Sequence, residues 1–89
     1  MTDVNQVLNE RGTRYGRFEG HAHISQTLKA AMTHTAGWQR LTADQREALE
    51  MVQHKVARIL NGDPNYTDNW IDIAGYVTLV IRRLETGAA

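Results

Sequence analysis

Helical periodicity on both sides of a single proline constrains the fold of this chain more than any other feature. Apolar residues recur every three or four positions before Pro64, at Leu49, Val52, Val56, Ile59 and Leu60. The same spacing returns after the proline, at Trp70, Ile73, Val77, Val80, Ile81 and Leu84. Such spacing places each set on one side of an α-helix, and proline cannot continue a helix because it has no backbone N–H. The pattern predicts two long helices joined by a short loop.

Residues typical of helix ends bound these two stripes. Thr42 and Gln45 have the spacing of a capping box, in which each side chain bonds the backbone N–H of the other residue. Asn61-Gly62 is expected to end the first long helix, because both residues tolerate a left-handed conformation. Thr67 or Asp68 is expected to cap the second.

The N-terminal half predicts two further helices. A short helical stripe follows Thr2, a good N-cap residue, and is expected to fray near Gly12. The segment GTRYGRFEGH, residues 12–21, contains three glycines and is interpreted as a loop. The next helix is expected to end near Gly37. Its apolar stripe is formed by Ile24, Leu28, Ala31 and Met32. No segment shows the alternation of a strand, so we predict an all-α fold with three main helices plus a short N-terminal helix.

The length predicts one helical domain, residues 1–89, with a small core. A chain of 89 residues buries only about 60–65% of the surface that its unfolded form exposes. There is no cysteine to form a disulfide. The last helix also carries apolar surface on a second side, around Gly75 and Leu79. We therefore expect a homo-oligomer that associates through the last helix; the alternative is that the N-terminal helix covers this side.

Charge and hydropathy bear on the class of partner. The formal net charge is zero, whereas non-specific binding to DNA or RNA depends on a surplus of Lys and Arg. No apolar run approaches the roughly 20 residues of a membrane span, and the first ten residues lack a signal-peptide pattern. These features predict a cytoplasmic protein that binds neither a membrane nor a nucleic acid polymer.

The segment RGTRYGR, residues 11–17, is the first candidate binding element. It contains three guanidinium groups and one phenol, those of Arg11, Arg14, Arg17 and Tyr15. Guanidinium groups bind phosphate oxygens through paired hydrogen bonds, and tyrosine stacks on bases. The combination suits a phosphorylated, base-bearing small molecule. In the alternative interpretation, the arginines pair with Glu10 and Glu19 on a solvated surface.

A second group of polar residues is expected on the two long helices. It comprises His54, Lys55, Arg58, Tyr66, Asn69, Asp72 and Tyr76. Asp72 is notable because a carboxylate among apolar residues is costly to bury unless a cation or donor meets it. Lys55, Arg58 or His54 could supply that cation. Alternatively, Asp72 binds a magnesium ion, or it is an ordinary exposed residue.

His21 and His23 form a pair without a clear third ligand. Stable metal sites in proteins need three or four ligands. The sequence therefore favours a capping or surface role for both histidines.

The motif R-x-x-R-Y-G, followed by QREALEMVQHKVARILNGDPNYTDNWIDIAGYVTLV, resembles a family of small phage and prophage proteins of unassigned function. More remotely, the last two helices are similar to the all-α MazG-type nucleoside triphosphate pyrophosphohydrolases. That resemblance implies magnesium bound by E-x-x-E and E-x-x-D motifs. Glu47 and Glu50 match the first motif, but Asn69 replaces the first carboxylate of the second, so only Asp72 remains.

The chain also resembles, in size and in Arg, Tyr and His content, the small helical phage proteins that sequester nucleotide immune signals. This resemblance implies a protein that holds an ADP-ribose derivative or a cyclic dinucleotide between subunits without cleaving it. Arg11, Arg14 and Arg17 would then bind phosphates, Tyr15 or Tyr66 would stack on a base, and Asn69 with Asp72 would bind ribose. We expect no cofactor. The alternatives are a magnesium-dependent pyrophosphohydrolase using Glu47, Glu50 and Asp72, and a structural module that binds another protein.

Overall fold

The computed structural model describes residues 3–87 and is helical throughout, with no strand in that range. It contains four α-helices and one short 3-10 helix. They are α1 (Val4–Tyr15), α2 (Phe18–Thr33), the 3-10 helix (Ala36–Arg40), α3 (Ala43–Asn61) and α4 (Thr67–Thr86). The predicted all-α fold of three main helices and a shorter N-terminal one is confirmed. No helix in this part of the chain combines the length and apolarity needed to cross a membrane.

Helix α3 is the centre of the fold. Helices α2 and α4 pack along two different sides of it, and α1 makes smaller contacts with α2 and α3. The Ser25 hydroxyl on α2 donates to Gln53 Oε1 on α3 at 3.1 Å. On the other side, Lys55 of α3 forms an ion pair with Asp72 of α4. The result is an open layer of three helices with α3 in the middle.

The side of α3 that is buried differs from the predicted apolar stripe. Its buried residues are Ala48, Gln53, Lys55 and Ala57, whereas Leu49 and Leu60 are exposed. Burial follows the two flanks that α2 and α4 cover, and the apolar stripe lies between those flanks. The stripe of α4 is likewise open, since Trp70, Val77, Ile81 and Leu84 are all exposed.

The predicted loop over residues 12–21 is wrong in extent. Helix α1 continues through Gly12 to Tyr15, and α2 begins at Phe18, so only Gly16 and Arg17 connect them. A Cβ at Gly12 would meet nothing within 4 Å, so this glycine carries only the propensity cost of about 1 kcal/mol for a helix interior. Thr2, the expected cap of this helix, lies outside the described residues, and Asp3 is the N-cap.

The predicted start and end of α3 are confirmed, whereas the predicted cap of α4 is wrong. The capping box at the start of α3 is present, and the Thr42 N–H donates to Gln45 Oε1 at 3.0 Å. Helix α4 has Tyr66 at the N-cap position, one residue before Thr67, and no side chain caps it. Helix α3 ends at Asn61 with Gly62 as its C-cap, as expected, but Gly62 adopts a φ of −135° instead of a left-handed conformation.

Candidate functional site

The C-terminal end of α3 holds the junction between α1 and α2. The Asn61 side-chain amide donates to the backbone carbonyls of Tyr15 and Arg17, each at 2.8 Å. The Asp63 N–H donates to the Arg14 carbonyl, also at 2.8 Å. These three bonds satisfy carbonyl groups at or just beyond the end of α1, which the helix itself leaves unpaired. They fix the direction in which α1 leaves α2.

Two glycines allow the backbones to meet at this junction. Gly16 has a φ of +77°, a region that strongly favours glycine. A Cβ on Gly62 would lie 2.5 Å from the Tyr15 Cα and even closer to the Arg14 carbonyl oxygen. Gly62 is therefore required for close backbone approach between α3 and the α1–α2 junction.

A cavity of about 410 Å³ lies beside this junction, between α1, the start of α2 and the later turns of α3. Volumes of this size are typical of small-molecule sites. Five of the predicted ligand-binding residues line it, namely Arg11, Tyr15, Arg17, His54 and Arg58. The remaining lining residues are Leu8, Gly12, Gly16, Phe18, Glu19 and His21. Residues far apart in the sequence thus meet around one space in a single chain.

The cavity wall carries a surplus of positive charge. Arg11, Arg17 and Arg58 contribute three guanidinium groups, against the single carboxylate of Glu19. Arg17 and Glu19 are 3.9 Å apart on side chains that are largely exposed, and such pairs contribute little to stability. Within residues 3–87, no carboxylate lies within ion-pair distance of Arg11 or Arg58. These two guanidinium groups keep donors available for an anionic ligand.

Cation–π and ring contacts extend from the cavity towards the loop after α3. The Arg58 guanidinium lies 4.2 Å from the centre of the Tyr15 ring. The Tyr15 ring meets that of Tyr66 edge to face, with centroids 6.0 Å apart. The Arg14 guanidinium then covers Tyr66 at 4.5 Å and donates to its hydroxyl. Arg14 and Tyr66 therefore support Tyr15 from behind and do not line the cavity.

Two histidines, His21 and His54, line the cavity. The rings of His21 and His54 contact each other edge to face, with centroids 4.6 Å apart. Burial, followed by the nearby Arg58 charge, lowers the pKa of His54 to about 4. The same two causes lower the pKa of His21. Near neutral pH both rings are therefore uncharged, and each offers one donor and one acceptor nitrogen. His21 Nδ1 is buried and has no hydrogen-bond partner within residues 3–87.

The remaining predicted site residues lie away from this cavity. The Lys55 ammonium lies 3.0 Å from Asp72 Oδ2, so Lys55 is the cation that meets this carboxylate. Asn69 is only 1% exposed, and Tyr76 borders a shallow depression between α3 and α4. Among residues 11–17, Arg14 is paired with Glu10 at 3.3 Å, as the alternative interpretation of that segment expected.

The carboxylates of the alternative metal site do not converge. Within the described part of the chain, no three His, Asp or Glu side chains come close enough together to hold a metal ion. Glu47 borders the same shallow depression as Tyr76, and Asp72 is engaged by Lys55. In this arrangement the Asp72 carboxylate is paired with a lysine ammonium and is not free for a metal ion.

Sequence reasoning missed Phe18 and His21 as cavity residues. Both were assigned to a predicted loop, so no helical face could be drawn through them. His21 and Phe18 lie three residues apart in the first turn of α2, and residues at that spacing share a face. Had Gly20 been accepted inside a helix, the predicted helix would have started soon after Arg17. Phe18 and His21 would then have been placed on one face of its first turn.

Comparisons with known proteins give one match. No curated protein and no solved structure matches the chain. Residues 1–83 match the family described as a domain of unknown function, DUF6378. That match spans all the residues that line the cavity and those that hold the α1–α2 junction. By this match over most of its length, the chain belongs to the DUF6378 family.

Proposed function

We propose that this chain binds a nucleotide-derived small molecule in the cavity between α1, α2 and α3 and holds it without cleaving it. The observation that carries the proposal is the meeting of Arg11, Arg17 and Arg58 around one space lined by aromatic rings. Arginine donors and an aromatic wall together match the two halves of a nucleotide. The ligand would lie in a cavity built by one chain, and not between subunits.

The arginines supply the phosphate half of this recognition. Arg11 and Arg58 have no carboxylate partner within residues 3–87, so an incoming phosphate would not have to displace an ion pair. A guanidinium binds two phosphate oxygens at once. Two neutral histidines add hydrogen bonds without adding charge. This supports an anion with one or two phosphate groups.

The rings of Tyr15 and Phe18 supply the base half. Both border the cavity, and stacking of a base on an aromatic ring contributes about 1–3 kcal/mol. The Arg58 guanidinium already covers one face of Tyr15. Phe18 is 78% exposed, so its ring is the more available surface for a base.

Two further elements of the proposal come from the sequence. The first is sequestration of a nucleotide immune signal, which rests on the resemblance to the small phage proteins that bind such signals. The second is self-association through α4, which rests on the apolar surface of that helix. The convergence of basic groups around the cavity supports binding, and Asp72, the one carboxylate left of the second MazG-type motif, is paired with Lys55.

Isothermal titration with ADP-ribose, cyclic ADP-ribose and cyclic dinucleotides tests the proposal. We expect one of them to bind, and chromatography of the released ligand to recover it intact. Arg58→Gln should weaken binding about 10–100-fold, because it removes a charge-assisted hydrogen bond. Arg82→Gln on exposed α4 makes the same charge change away from the cavity and should leave the affinity unchanged.

Three outcomes would contradict the proposal. Recovery of cleaved ligand would exclude simple sequestration. Magnesium-dependent release of pyrophosphate from nucleoside triphosphates would support the MazG-like alternative. A failure of every nucleotide to bind, with a stable protein complex on pulldown, would support the structural module.

A further inference from the structure

The side of the helical layer that faces away from the cavity is a continuous apolar surface. It is formed by two adjoining grooves that share Leu41 and Leu49. We define this apolar face by Leu28, Met32, Leu41, Leu49, Val77 and Ile81. Only Gln45, Thr35 and Arg40 interrupt it with polar side chains. Contiguous apolar surface of this kind marks an interaction site.

The amount of exposed surface indicates that a single chain is an incomplete structure. The chain presents 6486 Å² of accessible surface, whereas a compact monomer of its mass presents about 5300 Å². Its radius of gyration is 15.3 Å, compared with about 12 Å for a compact domain of this length. Within residues 3–87, the buried hydrophobic residues are Trp38, Ala48 and Ala57. A core with so few fully buried apolar side chains leaves little surplus over the entropy of folding.

We infer that the apolar face is the interface of a homodimer, with a second copy of this chain packed against it. The surplus of about 1200 Å² per chain is of the size that stable obligate dimers bury. Obligate homodimer interfaces resemble a domain core cut in half, and this face resembles the missing half of a core. The formal net charge of zero means that two copies have no net repulsion to overcome.

The inferred interface differs from the one expected from the sequence. That expectation placed the partner against Gly75 and Leu79, on the far side of α4. In the structure, the opposite stripe of α4, with Val77 and Ile81, is open and borders a groove against α3. The partner would therefore complete the predicted core stripe, and the side with Gly75 and Leu79 would remain in solvent.

This arrangement leaves both cavities accessible. Arg58 follows Leu49 by nine residues, which is two and a half turns of a helix with about 3.6 residues per turn. The two side chains therefore point from opposite sides of α3. A dimer formed through Leu49 carries its two cavities on its outer surfaces, each complete within one chain. Dimerisation and ligand binding are thus separable, and the inference does not depend on the proposed ligand.

Sedimentation velocity on the full chain tests the inference. We expect a species of about 20 kDa, twice the 10.1 kDa of one chain, at tens of micromolar. Ile81→Glu should weaken association by about 100-fold or more, because it buries a charge in the interface. Leu79→Glu is the matched control, since both residues lie on α4 and Leu79 is exposed by 61% against 45% for Ile81. It should leave the dimer intact.

Cysteine cross-linking provides a second measurement that does not depend on how well Ile81→Glu folds. The chain has no native cysteine, so Ile81→Cys and Leu79→Cys each introduce a single thiol. Under dilute oxidising conditions, Ile81→Cys should give far more disulfide-linked dimer than Leu79→Cys. A wild-type chain that sediments as a single subunit would overturn the inference. Equal cross-linking at both positions, or equal loss of the dimer in both glutamate variants, would also overturn it.

Discussion

The Lys55 ammonium and the Asp72 carboxylate form an ion pair between α3 and α4, with 3.0 Å between Nζ and Oδ2. The Lys55 side chain is only 11% exposed, whereas that of Asp72 is 46% exposed. The carboxylate that stands among the apolar residues of α4 is thus the partner of a buried cation. This pair joins the two helices with the most extensive contact in the fold.

Removing Asp72 should destabilise the chain because it leaves Lys55 buried without a partner. We expect Asp72→Ala to lower the free energy of unfolding by about 1–2 kcal/mol, less than for a fully buried pair because the carboxylate is half in water. The double variant Lys55→Met, Asp72→Leu should recover most of this loss. Urea titration measures both effects. A loss that persists in the double variant would show that Asp72 acts through a contact other than Lys55.

Gly62 should not tolerate a side chain. A Cβ there would overlap the backbone of Arg14 and Tyr15, so the α1–α2 junction would have to move. We expect Gly62→Ala to cost about 1–3 kcal/mol and to weaken ligand binding in the cavity. Thermal unfolding and titration measure the two effects.

Gly75→Ala is the matched control for this prediction. A Cβ at Gly75 would meet nothing within 4 Å, and alanine is favoured over glycine in a helix by about 1 kcal/mol. The variant should therefore be slightly more stable than the wild type. Loss of the oligomer in Gly75→Ala would instead favour the interface expected from the sequence.

Asn61→Asp should loosen the junction beside the cavity. The Asn61 amide donates to two backbone carbonyls, whereas a carboxylate has no proton to donate and would face two oxygen atoms. We expect a loss of about 2 kcal/mol in stability and weaker ligand binding. Asn65→Asp makes the same chemical change on an exposed residue of the following loop. If both variants lost equal stability, added negative charge would be the cause and not the lost bonds.

Stability should fall between pH 7.5 and pH 5 because of the cavity histidines. His54 has a pKa of about 4 in the folded chain and an ordinary value of 6.5, so in this range the unfolded chain binds a proton that the folded chain does not. The contribution of His54 to the free energy of unfolding is therefore present above pH 6.5 and is lost progressively as the pH falls towards 4. The lowered pKa of His21 acts in the same direction.

The expected loss from His54 at pH 5 is about 1 kcal/mol, because the imidazole is only partly buried and solvent screens part of the effect. His54→Gln should remove most of this dependence, since glutamine does not titrate. His34→Gln, at an exposed position after α2, should retain it. Urea titrations at the two pH values provide the measurement, and an unchanged pH dependence in His54→Gln would contradict the assignment.

Several features of the cavity could be predicted from the sequence, and others could not. Arg11, Tyr15 and Arg17 were predicted to form a basic segment, because residue type and short spacing are visible in the chain. His54 and Arg58 were predicted as binding residues on the first of the two long helices, because their residue types suit an anionic ligand. Phe18 and His21 were not found, because the glycines around them were interpreted as a loop. Asn69 and Asp72 were grouped with the ligand residues, although they lie in the contact between α3 and α4.

The sequence by itself determined three features of the fold. The chain is all-helical, Pro64 separates its two longest helices, and a capping box at Thr42 begins α3. Each of these depends on interactions between residues only a few positions apart. Only the tertiary structure decided that α2 and α4 flank α3 and thereby leave its apolar stripe open. It also decided that Asn61 and Gly62 fix the junction beside the cavity. The physical reason is that a period shows which residues share a side of a helix, whereas burial depends on which neighbours cover that side.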